Sequence, residues 1–174
     1  NKLYKHWLRA LAAKKHWTTF LTHYKPQKSE NLQCLHIQAL ANRKQLAKAL
    51  KLAKPIWQNN VSLSTSCKPI DTLLRNNKKL TGTMVWQRIE LSMNKRKLKV
   101  AKKLSEDLSN KEKAMFDYWV KVYKNPQLIA QPLPKSISPS IKKKIFTLGI
   151  RSLASRDSRL AKKSLSKFYK RYGL

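Results

Sequence analysis

Apolar residues recur at i, i+3, i+4 and i+7 along almost the whole chain, which is the spacing of amphipathic α-helices. Lysine and leucine are the most frequent residues, and both favour helix, as does alanine. The 174 residues include three glycines, whereas a β-rich fold would need more of them at its turns. The pattern therefore predicts an all-α protein with about ten short helices.

The helices are expected to come mostly in pairs separated by short polar breaks. Their predicted bounds are 2–13, 15–24, 30–41, 44–57, 67–76, 82–93, 96–107, 109–124, 139–154 and 157–172. Residues 123–140 contain four prolines and interrupt this rhythm. Because proline marks turns and loops, we expect a short helix just after Asn125 and, over 126–139, a proline-rich connector within the domain.

One phrase, "QALANRKQLAKALKLA" at 38–53, is repeated in looser form at 9–24, 89–104 and 151–166. Each copy has a leucine and a small residue, then a polar break and a second helix. The leucine and small residue are Leu11-Ala12, Leu40-Ala41, Leu91-Ser92 and Leu153-Ala154. Two short helices cannot bury their apolar faces alone, so neighbouring pairs must stack. We predict a right-handed superhelix (solenoid) of antiparallel hairpins, forming one domain over 1–174.

The formal net charge is +31, from 39 Lys and Arg against 8 Asp and Glu. Such a charge favours a polyanionic partner. However, 30 of the 39 basic residues are lysines, and they are spread along the chain rather than gathered in one block, whereas proteins that read phosphates and bases favour the arginine fork. A lysine-rich surface with nonspecific attraction for polyanions is our main interpretation, and a nucleic-acid-binding or protein-interaction scaffold of helical repeats is the alternative.

No stretch of the sequence approaches the ~20 apolar residues of a membrane span. The sequence opens inside a predicted helix, without a start methionine or a signal peptide. A mature secreted protein or an excised domain would begin in this way. We therefore expect a fragment of a longer protein.

The two cysteines, Cys34 and Cys67, lie 33 positions apart on different predicted helices. A disulfide between them would imply an oxidising compartment. Two buried free thiols in a cytosolic protein fit the sequence equally well, so the residues alone leave both possibilities open. No third cysteine supports a zinc site.

Candidate catalytic and metal-binding residues are sparse. The four histidines, His6, His16, His23 and His36, lack the i, i+4 spacing with a nearby carboxylate that helical metal sites use. Glu90 and Asp117 are flanked by apolar residues and are the best candidates for an acid–base group with a raised pKa. Among so many lysines we favour salt bridges for both, and we predict no catalytic residue, no metal and no cofactor.

Five tryptophans fall at apolar positions of successive helices: Trp7, Trp17, Trp57, Trp86 and Trp119. They could line a groove on which sugars or bases stack. We favour packing between helices instead.

Several stretches together resemble a family, the soluble lytic murein transglycosylases of the bacterial periplasm, and specifically their N-terminal U-shaped superhelical domain. They are "ENLQCLHIQALANRKQLAKALKLAKPIW", "SCKPIDTLL", "MVWQRIELSMNKRKLKVAKKLSEDLS", "YKNPQLI" and "IFTLGIRSLASRDSRLAKKSL". These stretches occur in the family's order over about 2–172. The lysine content is higher than is usual in the family.

The resemblance implies that Cys34 and Cys67 are bonded to each other and that the protein is periplasmic. It also implies that the helices close with a linker domain into a ring through which peptidoglycan glycan strands are handled, and that the missing linker and catalytic domains are partners of this chain. In the family a separate lysozyme-like domain cleaves between N-acetylmuramic acid and N-acetylglucosamine and leaves a 1,6-anhydro product. Its catalytic glutamate lies in a Glu-Ser motif, which this sequence does not contain, so no catalytic residue is carried over.

Overall fold

The computed structural model describes residues 2–174, which form ten α-helices and three short 3₁₀ segments and contain no β-strand. The helices are α1 Lys2–Ala13, α2 Trp17–His23, α3 Glu30–Asn42, α4 Leu46–Asn59, α5 Lys68–Asn76, α6 Gly82–Asn94, α7 Leu98–Ser105, α8 Asn110–Lys124, α9 Pro139–Ala154 and α10 Ser158–Phe168. The 3₁₀ segments are Thr65–Cys67, Pro126–Ala130 and Lys170–Tyr172. The prediction of an all-α chain with about ten helices is confirmed.

The chain divides into two compact units, Asn1–Ala101 and Lys102–Leu174. The predicted proline-rich connector lies inside the second unit. It begins with the 3₁₀ segment Pro126–Ala130, and its side chains Ile129, Leu133 and Ile137 are buried. The segment is thus part of the packed core of that unit. The single domain over 1–174 and the handedness of the superhelix stay predictions.

The first unit is built by packing helices that are close in sequence. Helices α1, α2 and α3 enclose a cluster of buried side chains, and α4 packs in turn against α3, α5 and α6. The cluster consists of Leu8, Ala12, Phe20, Leu32 and Ala39. Each helix therefore covers the apolar stripe of its neighbours, as expected for hairpins too small to bury their own.

Aromatic rings fill the core of the second unit. Phe146 of α9 contacts Phe168 of α10 and Tyr172, with ring centroids 6.0 and 4.9 Å apart. The Tyr172 hydroxyl accepts a hydrogen bond from the Leu133 amide at 2.9 Å. The last 3₁₀ segment is thereby tied to the core. The helix predicted over 157–172 ends earlier, at Phe168.

Gly149 is a position in α9 where an added β-carbon would force neighbouring side chains to move. A β-carbon placed there would lie 2.6 Å from Ile129 Cγ2 and 3.1 Å from Val122 Cγ1. Glycine normally weakens a helix interior, by about 1 kcal/mol relative to alanine. Here it permits close packing of α9 against α8 and Pro126–Ala130.

We expect Gly149→Ala to lower the free energy of unfolding by about 1 kcal/mol. Overpacking a core costs about 1–3 kcal/mol, and the better helix propensity of alanine offsets part of it. Urea denaturation measures the change. Ser140→Ala, at an exposed position of the same helix, is the control and should stay within about 0.5 kcal/mol of the wild type. A variant Gly149→Ala more stable than the wild type would contradict the close packing.

Four of the helix breaks in the first unit share one type of turn. A basic residue takes a left-handed conformation with φ between 52° and 60°, at Lys15, Lys44, Lys78 and Arg96. In the turn at Lys44, the Lys44 amide donates to the Ala41 carbonyl at 3.2 Å and the Gln45 amide to the Leu40 carbonyl at 2.9 Å. The other three turns repeat this pair of bonds. This is a Schellman motif with lysine or arginine where glycine is usual.

This turn explains why the sequence phrase is repeated, and it corrects the alignment of the copies with one another. In the third copy, Ser92 and Met93 accept the two bonds, so the match predicted at Leu91-Ser92 is displaced by one residue. The turn at Lys78 is an additional copy that the sequence comparison did not include.

The fourth predicted copy, at Leu153-Ala154, does not contain this left-handed turn. There the Asp157 amide donates to the Leu153 carbonyl at 2.7 Å, and the Asp157 carboxylate accepts from the Leu160 amide at 2.8 Å. The aspartate begins α10 as its N-cap, so no left-handed residue is needed.

We expect Lys44→Gly to raise the free energy of unfolding by about 0.5–1 kcal/mol. Glycine adopts the left-handed conformation without the steric penalty of a β-carbon, and this gain exceeds its larger entropy in the unfolded chain. The matched control is Lys48→Gly, an exposed site inside α4, which should lose about 1 kcal/mol. Thermal unfolding of both variants checks the sign. A loss of stability in Lys44→Gly would contradict the turn.

Candidate functional site

A disulfide joins α3 to the start of α5. Cys34 of α3 and Cys67, immediately before α5, are both fully buried, and their sulfur atoms are bonded, with Cα atoms 5.0 Å apart. Nearby, the Gln38 side-chain nitrogen donates to the Ser66 carbonyl at 2.7 Å. The cross-link and this hydrogen bond fix the start of α5 against α3.

Within residues 2–174, Glu30, Cys34 and Cys67 bring possible metal-ligand atoms within 4.8 Å of one another. The sulfurs are already bonded to each other. A disulfide sulfur is not a thiolate and is a poor metal ligand. The chemistry of this group is therefore that of a structural cross-link beside a half-buried glutamate.

A cleft of about 520 Å³ lies between α3 and α5, next to the disulfide. Its apolar floor includes Ile37, Ile70 and Leu73, and Lys68 lies among its lining residues. Polar side chains complete the lining: Gln38, Asn42, Thr72, Asn76 and Asn77. Such a mixture of apolar surface and a few placed polar groups is typical of sites for small ligands.

Three amides of the cleft are held in place by their own nitrogen atoms. Gln38 donates to the Ser66 carbonyl, Asn42 to the Gln38 carbonyl at 2.8 Å, and Asn77 to the Leu73 carbonyl at 2.8 Å. Each amide then has its side-chain oxygen and its second N–H group left to bind a ligand. The cleft is suited to a ligand that combines hydroxyl or amide donors with an apolar face, as an acetamido sugar does.

A polar network extends from the core of the first unit to its surface, since Trp57 and Arg88 are buried, Asp71 is half-buried and Arg75 is exposed. The fully buried Trp57 donates its indole N–H to Asp71 Oδ1 at 2.6 Å. Arg75 Nε donates to Asp71 Oδ2 at 2.7 Å. The guanidinium carbon of Arg88 lies 4.5 Å from the centroid of the Trp57 ring, a cation–π contact. The network thereby links α4, α5 and α6.

Arg88 is the buried cation of this network, with 6% of its surface exposed. Its Nε donates to the Asn60 carbonyl at 2.8 Å and its Nη2 to the Val61 carbonyl at 3.4 Å. The arginine thus satisfies backbone carbonyls in the irregular segment that follows α4. Its role is to hold that segment against α6.

The ionisation of the network is set by these contacts. Burial by itself would raise the pKa of Asp71, but hydrogen bonds from Arg75 and Trp57 and the charges of Arg75 and Arg88 outweigh it, and the pKa is lowered. Burial lowers the pKa of Arg88, while the charge of Asp71 opposes this. Arginine nevertheless remains protonated in proteins. Asp71 is therefore an ionised structural carboxylate, unsuited to act as a general acid near neutral pH.

We expect Asp71→Asn to lower the free energy of unfolding by about 1–3 kcal/mol at pH 7, because charge-assisted hydrogen bonds are lost. Since the pKa of Asp71 is lower in the folded state, its contribution is complete above the unfolded value near 3.9 and disappears as the pH falls through the folded value. Urea denaturation between pH 7 and pH 2.5 should show the two proteins converging. Asp117→Asn is the exposed control. A constant difference across this range would contradict the prediction.

The candidate histidines are not assembled into a ligand set. His6, His16 and His23 are exposed, and His23 meets the Trp7 ring edge-on at 5.0 Å. His36 is half-buried and stacks on Tyr24 with ring centroids 4.0 Å apart. Burial lowers the pKa of His36. His23 and His36 thus pack against aromatic rings of the first unit.

The two candidate carboxylates lie on different units. Glu90 is half-buried on α6, and Asp117 is exposed on α8. The 520 Å³ cleft has neither of them in its lining. The salt bridges favoured from the sequence stay predictions for these two residues.

Trp57, Trp86 and Trp119 are buried, which confirms the packing interpretation for them. Trp17 is half-buried, and Trp7 has 39% of its surface exposed. The structural roles of Asp71 and Arg88 were not predicted from the sequence. The burial of Arg88 could have been predicted from its spacing, because it lies four residues from both Met84 and Ser92 and all three share one helical face, which is buried.

None of the helices in residues 2–174 combines the length and the apolar character that crossing a membrane requires. Comparison with protein-family models gives no match to this sequence, and comparison with curated proteins gives none either.

Solved structures do match. The inactive mutant of the lytic transglycosylase Slt from Pseudomonas aeruginosa superposes with a TM-score of 0.75 and 26% identity, over 95% of this chain and 27% of that one. A 70-kDa soluble lytic transglycosylase in complex with bulgecin A matches with a TM-score of 0.78 and 18% identity, over 99% of this chain and 28% of that one. The 70-kDa enzyme SLT70 from Escherichia coli matches with a TM-score of 0.75 and 17% identity, over 99% of this chain and 28% of that one.

The chain thus spans little more than a quarter of the length of these transglycosylases. Almost all of it is matched, and its all-α fold is the fold of the matched segment. The resemblance to soluble lytic transglycosylases predicted from the sequence is confirmed.

Proposed function

We propose that this chain is a non-catalytic superhelical domain of a periplasmic soluble lytic murein transglycosylase. In this role it helps to form the ring through which the parent enzyme handles the glycan strands of peptidoglycan. The parent reaction cleaves the bond between N-acetylmuramic acid and N-acetylglucosamine without water and leaves a 1,6-anhydro product. The observation that carries the proposal is the match to Slt over 95% of this chain at 26% identity.

The disulfide supports the periplasmic assignment, since such bonds persist in oxidising compartments. The cleft between α3 and α5 is our candidate contact for the glycan. Fixed amide oxygens can accept hydrogen bonds from sugar hydroxyl and acetamido groups, and the floor of Ile37, Ile70 and Leu73 can pack against the sugar ring.

The experiment is a titration of the chain with soluble, uncross-linked glycan strands, followed by chemical-shift mapping or calorimetry. We expect shifts centred on the cleft, and at least tenfold weaker binding when Asn42 and Asn77 are both changed to alanine. The matched control changes two asparagines outside the cleft, Asn59 and Asn94, to alanine. Equal loss in both double variants, or no binding by the wild type at millimolar glycan, would refute the contact.

The formal net charge of +31 favours a second candidate function, that of a helical-repeat scaffold that binds nucleic acid. This candidate predicts submicromolar binding of DNA or RNA at moderate salt, with a steep fall of log K against log salt. Binding that disappears near 150 mM salt would identify nonspecific attraction and exclude this candidate. A fluorescence-anisotropy titration at several salt concentrations measures it.

A further inference from the structure

Helix α10 exposes two large apolar side chains on one flank. Ala161, Ser164 and Phe168 are buried and form the face that packs into the second unit. Leu165 has 38% and Tyr169 50% of its surface exposed. They lie four residues apart, and Tyr169 keeps helical backbone angles, so the two side chains are neighbours along the same flank.

The rest of the exposed surface of α10 and the following turn is rich in basic residues. Seven cations in residues 156–171 are exposed: Arg156, Arg159, Lys162, Lys163, Lys167, Lys170 and Arg171. The single acidic residue in this segment is Asp157, and its carboxylate caps α10 through the Leu160 amide. The local formal charge is therefore 7 − 1 = +6.

The spacing arranges these cations in rows beside the apolar pair. Arg159, Lys163 and Lys167 follow one another at intervals of four and form one row. Lys162 and Lys170 belong to a second row, between the first row and the pair Leu165 and Tyr169. A helix with cations over its exposed face and large apolar side chains along one edge is typical of binding to a membrane surface.

We propose that α10 and the turn Lys170–Tyr172 form a binding face for anionic phospholipid bilayers. The cations are attracted to the lipid headgroups. Leu165 enters the boundary between headgroups and acyl chains, and the Tyr169 ring lies at headgroup level with its hydroxyl in water. A nucleic acid would use the same cations, but it offers no apolar layer for Leu165. The exposed apolar pair is the feature that favours the bilayer.

The test is co-sedimentation of the chain with vesicles of phosphatidylcholine containing 30% phosphatidylglycerol, at 100 mM salt. We expect binding to these vesicles and at least tenfold weaker binding to pure phosphatidylcholine. The variant Leu165→Ser with Tyr169→Ser should bind the anionic vesicles at least tenfold less tightly. The variant Lys162→Glu with Lys163→Glu should lose binding as well.

The matched control is Leu46→Ser with Leu52→Ser, which removes two exposed leucines from the lysine-rich α4 of the first unit. It should bind as the wild type does, and thermal unfolding of every variant confirms that the fold is kept. Equal binding of the wild type and the Leu165/Tyr169 variant would show attraction by charge alone and overturn the proposal. So would an equal loss in the α4 control, or binding to DNA but not to vesicles.

Discussion

Removal of the cross-link by Cys34→Ala with Cys67→Ala should lower the free energy of unfolding by about 3–4 kcal/mol. The bond closes a loop with a sequence separation of 33, and the chain-entropy estimate for such a loop gives this magnitude. The first unit should lose more than the second, because the disulfide ties α3 to the start of α5 within it. This is the largest effect we expect from any change described for this chain.

Urea denaturation with and without a reducing agent measures the effect. Reduction of the wild type should reproduce most of the loss seen in the double variant, and it should leave the double variant unchanged. A count of free thiols in protein isolated from its own compartment completes the test. Two reactive thiols, together with a stability that does not respond to reduction, would contradict both the cross-link and the periplasmic assignment.

The second large effect is expected from Arg88→Met, which should cost about 3 kcal/mol. Methionine nearly preserves the volume, but it leaves the Asn60 and Val61 carbonyls without their donor, removes the cation over Trp57 and takes away a positive charge near Asp71. A hydrogen bond to a charged group is typically worth about 1.5–3 kcal/mol, and a carbonyl left without its donor adds a desolvation cost of about 1–3 kcal/mol. Arg88→Lys should be intermediate, because it keeps the charge without the planar fork.

The matched control is Arg43→Met, at the exposed end of α3, which should change the free energy of unfolding by less than about 0.5 kcal/mol. Denaturant unfolding of the three variants gives the comparison. If Arg88→Met were as stable as the wild type, the network of Trp57, Asp71 and Arg88 would have no structural role.

The helices were predictable because their burial follows a local period. Ala12 and Leu8, or Phe168 and Ser164, lie four residues apart on the buried side of their helices, and the sequence shows this spacing directly. The turns were harder to align. At Lys15, Lys44, Lys78 and Arg96 the sequence carries no glycine to mark the left-handed residue, since this chain uses lysine or arginine there.

The disulfide, the polar network and the cleft could not be predicted from the local spacing of residues alone. Whether Cys34 meets Cys67 depends on how α3 packs against α5, and it was the family resemblance that implied the pairing. The contacts of Asp71 and Arg88 likewise join three helices and an irregular segment, so their partners follow only from the tertiary arrangement. The amide-lined cleft has the same origin, because its walls come from helices about 30 positions apart.

The most direct measurement is incubation of the purified chain with intact murein sacculi, with analysis of both the bound protein and the soluble products. We predict that the chain is retained on the sacculi and that no 1,6-anhydro muropeptide is released, because our proposal assigns glycan contact to this chain and cleavage to another part of a parent enzyme. Release of anhydro products by the chain alone, or its complete recovery in the unbound fraction, would contradict this assignment.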